Sequence, residues 1–517
     1  MAFVGGFAAL GYEVLWGRLA RFLIGERTIA TASLLFIFIA CLGLGAWIAP
    51  VLGKKLKTNT PTRTRTVIAV LFLVTAAFHL TCVSACYRNI RNEGVVFSET
   101  LENELPARIQ NLWLLMAPPV LVLGIVFPLL AWSAGETESH PGRTVGDLYM
   151  INTIGASAGA VVATFAFSPK WNTAGGFLAV TGMLTVVAAA VLILQRGNRP
   201  LKVLAVAALV VFGFAYLWFP RSLVVLRNDE QLLESNEDEY GVQVLVTTTD
   251  GNLRLRNNRR QLVRDLGDPA TSQAQQMAAH LAILLADQCR DVLNIGTGYG
   301  ITAGTITLYE DVQVVETIEL LPFVADRQAR FADYNFNYLQ DPRVTLIRGD
   351  GYHKLMTTSS TYDVISVNVL DPHLPGSSAL YTVDFWRTAR RRLNRGGVLT
   401  QLIWGDDAVP VLVRGLQSVF PTVRYYPAYG GSAYNAIAFR DLVADADMRL
   451  HLDRVGHRSE DALTKLLGTQ WSEKLRGVLL QTSYETEYLD RRAAKNVGRL
   501  HTRNFPVLEY RGPPRRK

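Results

Sequence analysis

The feature that most limits how this chain can fold is a series of long uncharged runs confined to its first 220 residues. They span 28–53, 66–87, 109–135, 148–169, 171–195 and 203–220. A helix needs about 20 apolar residues to cross the hydrocarbon core of a bilayer, and each run reaches that length, the last only just. A seventh stretch, residues 1–24, is interrupted by Glu13, Arg18 and Arg21. It starts apolar and ends charged, the reverse of a cleaved signal peptide, and reads as a first, partly interfacial helix. Six of the nine tryptophans (Trp16, Trp47, Trp113, Trp132, Trp171, Trp218) fall in this part, mostly near run ends, as interfacial anchoring requires. The expectation is an α-helical membrane bundle of about seven spans over residues 1–220.

Charge divides the chain at the same place. Residues 1–220 hold 16 Lys+Arg and 9 Asp+Glu, leaving 36 and 35 for the rest, so most of the net +8 belongs to the first part. A nucleic-acid surface on the second part is therefore not expected, because counterion release needs basic clusters that acids do not cancel. Counting positive loops does not orient the bundle, since nine Lys/Arg fall on each side. Of the four cysteines, Cys41, Cys82 and Cys86 lie in apolar runs and read, with Cys289, as reduced and buried. His79 shares one helix face with Cys82 and Cys86, a spacing open to a metal site but more simply a packed interior face, so no metal is assigned. Glu13 beside Arg18 and Arg21 is open to two readings, an intramembrane site or an ion pair reaching the interface. Gly155 and Gly159 form a G-x-x-x-G pattern that permits close helix approach.

After Pro220 the periodicity changes. Val242, Val244 and Val246, then Leu253 and Leu255, alternate around Asp250-Gly251, a strong hairpin signal. Residues 221–270 are thus expected to form a small antiparallel β unit. Residues 272–287 read as an amphipathic helix, and apolar strands are expected at 291–295, 312–318, 343–347, 362–369 and 398–403, with helices between. That alternation predicts an α/β Rossmann-like domain over 271–445, with ligands at the C-terminal strand ends. Residues 423–429 and 434–439 around Gly430-Gly431 read as an antiparallel edge, the habit of S-adenosylmethionine-dependent methyltransferase folds. Residues 446–517 complete the chain as a helical segment and a basic tail, Arg511–Lys517, suited to anionic headgroups.

Gly296-Thr297-Gly298-Tyr299-Gly300 follows the first of these strands, but Ile301 stands where a dinucleotide G-x-G-x-x-G would place its last glycine. Glu319 ends the second strand, where a carboxylate can hold two ribose hydroxyls, and Gly349-Asp350-Gly351 ends the third. Taken singly, each has a bland alternative: a tight turn for the glycines, a solvated carboxylate for Glu319, a simple turn for Asp350.

In order and spacing these residues resemble the spermidine synthase family of polyamine aminopropyltransferases, and its membrane-fused branch in particular. The resemblance covers roughly 239–401. It includes Gly251-Asn252-Leu253-Arg254-Leu255 through Gln261, Asp341-Pro342-Arg343-Val344, Tyr362-Asp363-Val364-Ile365, Asp371-Pro372 and Leu380-Tyr381-Thr382. The branch's signatures stand at Gly11-Tyr12-Glu13-Val14-Leu15-Trp16, Leu148-Tyr149-Met150-Ile151-Asn152-Thr153 and Phe505-Pro506-Val507-Leu508-Glu509-Tyr510. The resemblance implies a co-substrate, S-adenosylmethionine or its decarboxylated form, held by Gly296, Gly298, Gly300, Glu319, Asp350 and Gly351. It implies an amine or lipid-proximal substrate near Gln261, Tyr299 and Tyr381.

Three departures bear on the reaction. An ammonium has no lone pair, so the family removes its proton with a carboxylate just after the fourth strand, and here that position is Asn368, which is no base near neutral pH. Tyr299 replaces the acid of the glycine loop that faces the amine. The Tyr-His pair expected near Ala274 and Gln275 is missing, although His280 is present. Asp371 is then the remaining candidate base, or else Asp-Pro merely opens a loop. Aminopropyl transfer is the leading expectation, with methyl transfer and a non-catalytic nucleoside- or polyamine-binding transporter or sensor as rivals. Cytoplasmic synthesis of adenosyl donors favours a multi-pass cell-membrane protein with its second part inward. The sequence leaves the assembly open, a homodimer included.

Overall fold

The computed structural model of the chain describes all residues except 26–27, 57, 59, 94–104, 138–140, 196–198, 259, 263–264, 370–371, 373–376, 405–407, 430–432, 445–447, 495–499 and 503–517. The sequence expectations for Asp371, Gly430-Gly431, the 505–510 signature and the basic tail lie outside the described residues. The chain divides into two compact units. One comprises Met1–Asn228, Ser235–Gln243 and Asn257–Arg260, the other Asp229–Glu234, Val244–Arg256 and Gln261–Lys517.

The first unit is built of α1 (Ala2–Ile24), α2 (Thr28–Lys55), α3 (Pro61–Glu93), α4 (Leu105–Thr137), α5 (Pro141–Val162), α6 (Ser168–Leu194) and α7 (Arg199–Trp218). A π-helical turn, Ala163–Phe167, joins α5 to α6, and Asn172 (φ 59°) breaks α6 near its start. Among the described residues six helices, α2 to α7, are long and apolar enough to cross a membrane by length and composition. With α1 they make seven helices in this unit among the described residues. Helix α1 packs against α2, α3, α4, α5 and α6, with Tyr12, Leu15, Trp16 and Leu19 fully buried. Arg18 of α1 donates to the Thr173 hydroxyl at 2.9 Å and pairs with Glu237 at 3.4 Å, while glycine lets the start of the helix approach α5 closely. A Cβ on Gly155 or Gly159 would lie 2.2 or 2.1 Å from the carbonyl oxygens of Phe3 and Phe7, so the G-x-x-x-G pattern serves packing. His79 is buried, stacked 3.5 Å from the Tyr12 ring, with Nδ1 2.9 Å from the Thr75 carbonyl.

Four strands, β1 (Glu230–Asp238), β2 (Gly241–Thr248), β3 (Leu253–Asn257) and β4 (Arg260–Gln261), form a small sheet in that order. The Asp250-Gly251 turn closes β2 on β3, the Gly251 amide donating to the Thr248 carbonyl at 2.9 Å. Strand β1 has no alternating apolar pattern, being mostly exposed or half-buried, and the sequence gives no sign of it.

The larger sheet holds β5 (Asp291–Ile295), β6 (Val314–Glu319), β7 (Val344–Arg348), β8 (Tyr362–Val367), β9 (Leu393–Trp404), β10 (Thr422–Ala428) and β11 (Ala433–Phe439). Their order is β10-β11-β9-β8-β5-β6-β7. Strands β5 to β9 pair in parallel, while β11 is antiparallel to β9 and to β10. Five interior strands read as near-continuous apolar runs because helices cover both faces. These include α8 (Pro269–Leu285), α12 (Val383–Arg392) and α13 (Ala408–Gln417), each contributing side chains to the core, with the short α9 (Ile301–Ile306) and α10 (Pro322–Ala325) following β5 and β6. After α14 (His457–Leu467), α15 (Trp471–Ala494) packs on β10, so the edge strand does not present an open row of backbone donors. Because β6 and β8 lie on opposite sides of β5, the strand order reverses there. Such a switch point leaves a crevice at the C-terminal strand ends.

Candidate functional site at the switch point

Register brings the site together. Ile295 of β5 pairs with Ile318 of β6 and Val367 of β8. The ladder continues beyond the strands, Gly296 donating to the Ile318 carbonyl at 2.9 Å and Asn368 to the Ile295 carbonyl at 2.8 Å. Gly296, Glu319 and Asn368 therefore stand level at the crevice.

The turn after β5 adopts left-handed backbone at Gly296 (φ 84°), Gly298 (φ 53°) and Gly300 (φ 83°), conformations that cost other residues about 1–2 kcal/mol each. Gly300 is also pinned from behind: a Cβ there would lie 2.6 Å from both Gln328 Oε1 and Tyr338 Cε1. Gln328 donates to the Gly298 carbonyl at 2.7 Å, Asn335 to the Tyr299 carbonyl at 3.0 Å, and the Tyr338 hydroxyl to Gln328 Oε1 at 3.1 Å. All three side chains are buried. Sequence reasoning missed them, because buried amides in a run of short turns carry no periodicity.

Glu319 closes the opposite side. Its Oε2 accepts from the Thr297 and Gly298 amides, each at 3.1 Å, and its Oε1 from Leu321 at 3.0 Å. Burial pushes the carboxyl above the ordinary glutamate pKa, and these backbone donors oppose the shift. With two amides on Oε2 and one on Oε1, the acceptor capacity left over lies on Oε1, where a sugar hydroxyl can donate. Asp350 is exposed and caps α11 (Gly351–Thr357), with Oδ1 2.8 Å from the Tyr352 amide. Beside it, a Cβ on Gly349 would meet nothing within 4 Å. Gly351 has a packing role: a Cβ there would stand 2.3 Å from Ile295 Cγ2.

The remaining predicted residues are engaged with the fold. Asn368 donates through Nδ2 to the Thr302 hydroxyl at 2.6 Å, which donates in turn to the Gln275 carbonyl at 3.3 Å. Tyr299 is fully buried; its hydroxyl accepts from the Leu255 amide at 3.1 Å and donates to the Leu253 carbonyl at 3.3 Å. Burial holds that phenol well above its ordinary pKa. Tyr381, also buried, donates to the carbonyls of Val369 and Leu402. Gln261 donates to Asp265 at 2.6 Å within a cluster in which Arg254 grips Asp265 through two nitrogens and Glu230 through a third. His280 is buried with Nδ1 2.7 Å from the Tyr309 hydroxyl, and burial depresses its pKa to about 3. Among the described residues no group of three or more His, Cys, Asp or Glu is arranged to hold a metal ion.

A parallel sheet that reverses at β5, a left-handed glycine turn and a carboxylate at the next strand tip define an α/β Rossmann-like domain of the methyltransferase type. Within that class, residues 272–427 match the spermine/spermidine synthase domain. A polyamine aminopropyltransferase 2 of Streptomyces coelicolor is 26% identical over 448 residues, covering 82% of this chain and 76% of its own. A polyamine aminopropyltransferase of Oceanobacillus iheyensis is 23% identical over 401 residues, covering 75% and 73%. Both alignments exceed the 297 residues that follow position 220 (517 − 220), so they extend into the helical part. The crystal structure of spermidine synthase from Thermotoga maritima aligns with 46% of this chain and 88% of its own, at 17% identity and TM-score 0.38.

Proposed function

We propose that this chain is a membrane-anchored, spermidine-synthase-like transferase that binds an S-adenosylmethionine-type donor in the crevice beside Gly296 and Gly298. One observation carries the reading: the Glu319 carboxylate and the glycine-turn amides meet at the switch point, so an acceptor for sugar hydroxyls and bare backbone share one crevice. Glu319 would hold the ribose, with Asp350 and the open space at Gly349 beside it. The donor, when bound, supplies a carbon activated by a neighbouring sulfonium. The chain's own part is to orient that carbon and to exclude water around the incoming nucleophile. Polyamine aminopropyl transfer, the activity named for the relatives, is the reaction proposed.

The hydrogen bond from Asn368 to Thr302 favours a second reading, because an amide at this position cannot deprotonate an ammonium. Methyl transfer to an acceptor that is already nucleophilic needs no such base. Affinities of the full-length protein for the two donors separate the readings. Tighter binding of decarboxylated S-adenosylmethionine, with transfer to a polyamine, supports the first. The reverse order supports methyl transfer, and binding without turnover for any acceptor contradicts both. Asn368→Asp is expected to raise aminopropyl transfer by about 10²-fold, the usual contribution of a placed base. No gain in the product assay would show that loss of the base is not the only departure that matters.

A further inference from the structure

Along α6 and α7 the first unit carries a cavity of about 510 Å³ that none of the functional residues above lines. Its floor is the small face of α6, Gly175, Ala179 and Gly182, which share one side of the helix over about 10 Å. Phe212 of α7 forms the far wall, and it can sit there because a Cβ on Gly182 would come within 2.9 Å of its ring. Helix α7 packs mainly on α6 and is otherwise almost bare, so the cavity opens toward the surroundings of the bundle.

The mouth is polar and aromatic. Asn172 breaks α6 and spans the opening, its Oδ1 accepting from the Gly175 amide at 2.9 Å and its Nδ2 donating to the Arg221 carbonyl at 3.2 Å. The Arg221 guanidinium lies 4.8 Å over the Tyr216 ring and donates to the Tyr216 carbonyl at 3.2 Å. It is exposed, and among the described residues it has no acidic partner. Trp171 and Tyr216, both exposed, line the mouth with it. Aromatic side chains of this kind collect at headgroup depth, which puts an uncompensated cation at the level of lipid phosphates and the apolar floor at the level of acyl chains.

We propose that this cleft binds one anionic phospholipid, with an acyl chain along Gly175, Ala179 and Gly182 and the phosphate at Arg221. The site rests on the helical unit lying in a membrane. It is tested on the full-length protein reconstituted into vesicles, extracted in mild detergent and weighed by native mass spectrometry. Phosphatidylglycerol should be retained over phosphatidylcholine by about fivefold, the attraction of one basic side chain near an anionic surface. Arg221→Ala should remove that preference, and Arg221→Lys should keep most of it. Gly182→Leu should expel both lipids while far-ultraviolet circular dichroism stays unchanged. Equal retention of the two lipids by the unaltered protein would overturn the proposal, as would displacement of phosphatidylglycerol by inorganic phosphate. Recovery of the protein outside the vesicle fraction would overturn the membrane reading as well.

Discussion

Gly298 and Tyr299 are neighbours in the chain, yet they open on different surroundings. On the Gly298 side, backbone amides and the Glu319 carboxylate face one another at the sheet's switch point, and polar capacity is left over for a ligand. On the Tyr299 side, the hydroxyl is spent on β3, Asn368 is spent on Thr302 and Tyr381 on two carbonyls. Sequence departures from the family pattern fall on this second side alone. The difference teaches that presenting polar groups to a ligand and holding the fold together are separable demands on one loop, the first met at the strand tips and the second by Tyr299, Asn368 and Tyr381.

The largest effect is expected at Glu319. Glu319→Ala removes the sugar's acceptor and strands three backbone donors, so donor affinity should fall by about 10³-fold, on the order of 4 kcal/mol. Unchanged affinity by titration calorimetry would break the comparison. Next is Gly300→Ala, which forces a left-handed alanine against Gln328 and Tyr338 and should cost about 3 kcal/mol of stability in denaturant titration. A cost near zero would mean the turn is not pinned. Tyr299→Phe leaves the buried Leu255 amide without its acceptor and should cost about 1–2 kcal/mol, with donor affinity unaltered. If affinity falls and stability does not, Tyr299 belongs with the ligand rather than with the fold.

A further test is a pH dependence. Burial holds His280 neutral, with a pKa of about 3 against an ordinary 6.5. The unfolded chain takes up this proton first, so the contribution of His280 to stability is intact above pH 6.5 and is lost as pH falls toward 3. Replacing it by leucine should flatten the stability profile over that window. An unaltered slope would show that His280 is accessible to water.

Much of this arrangement was legible in the sequence. Strand β5 and the glycine turn fall at the expected residues, because fully covered parallel strands write themselves as apolar runs bounded by glycine. The acid at the end of β6 followed from the same periodicity. Helix α1 falls where it was expected, but its packing was not legible: Gly155 and Gly159 let it lie close to α5, and Arg18 meets Glu237, 219 positions away. Gln328, Asn335 and Tyr338 left no trace, since a polar residue that is buried and satisfied looks in sequence like one that is solvated. The bonds of Asn368 and Tyr299 were equally hidden, being set by partners 66 and about 45 positions away.

The account is tested most directly by a cryo-EM map of the full-length protein with an adenosyl donor bound. It predicts both ribose hydroxyls within hydrogen-bond distance of the Glu319 carboxylate and the nucleoside lying against Gly296 and Gly298. Density showing that space occupied by side chains, with the nucleoside bound elsewhere or nowhere, would contradict it.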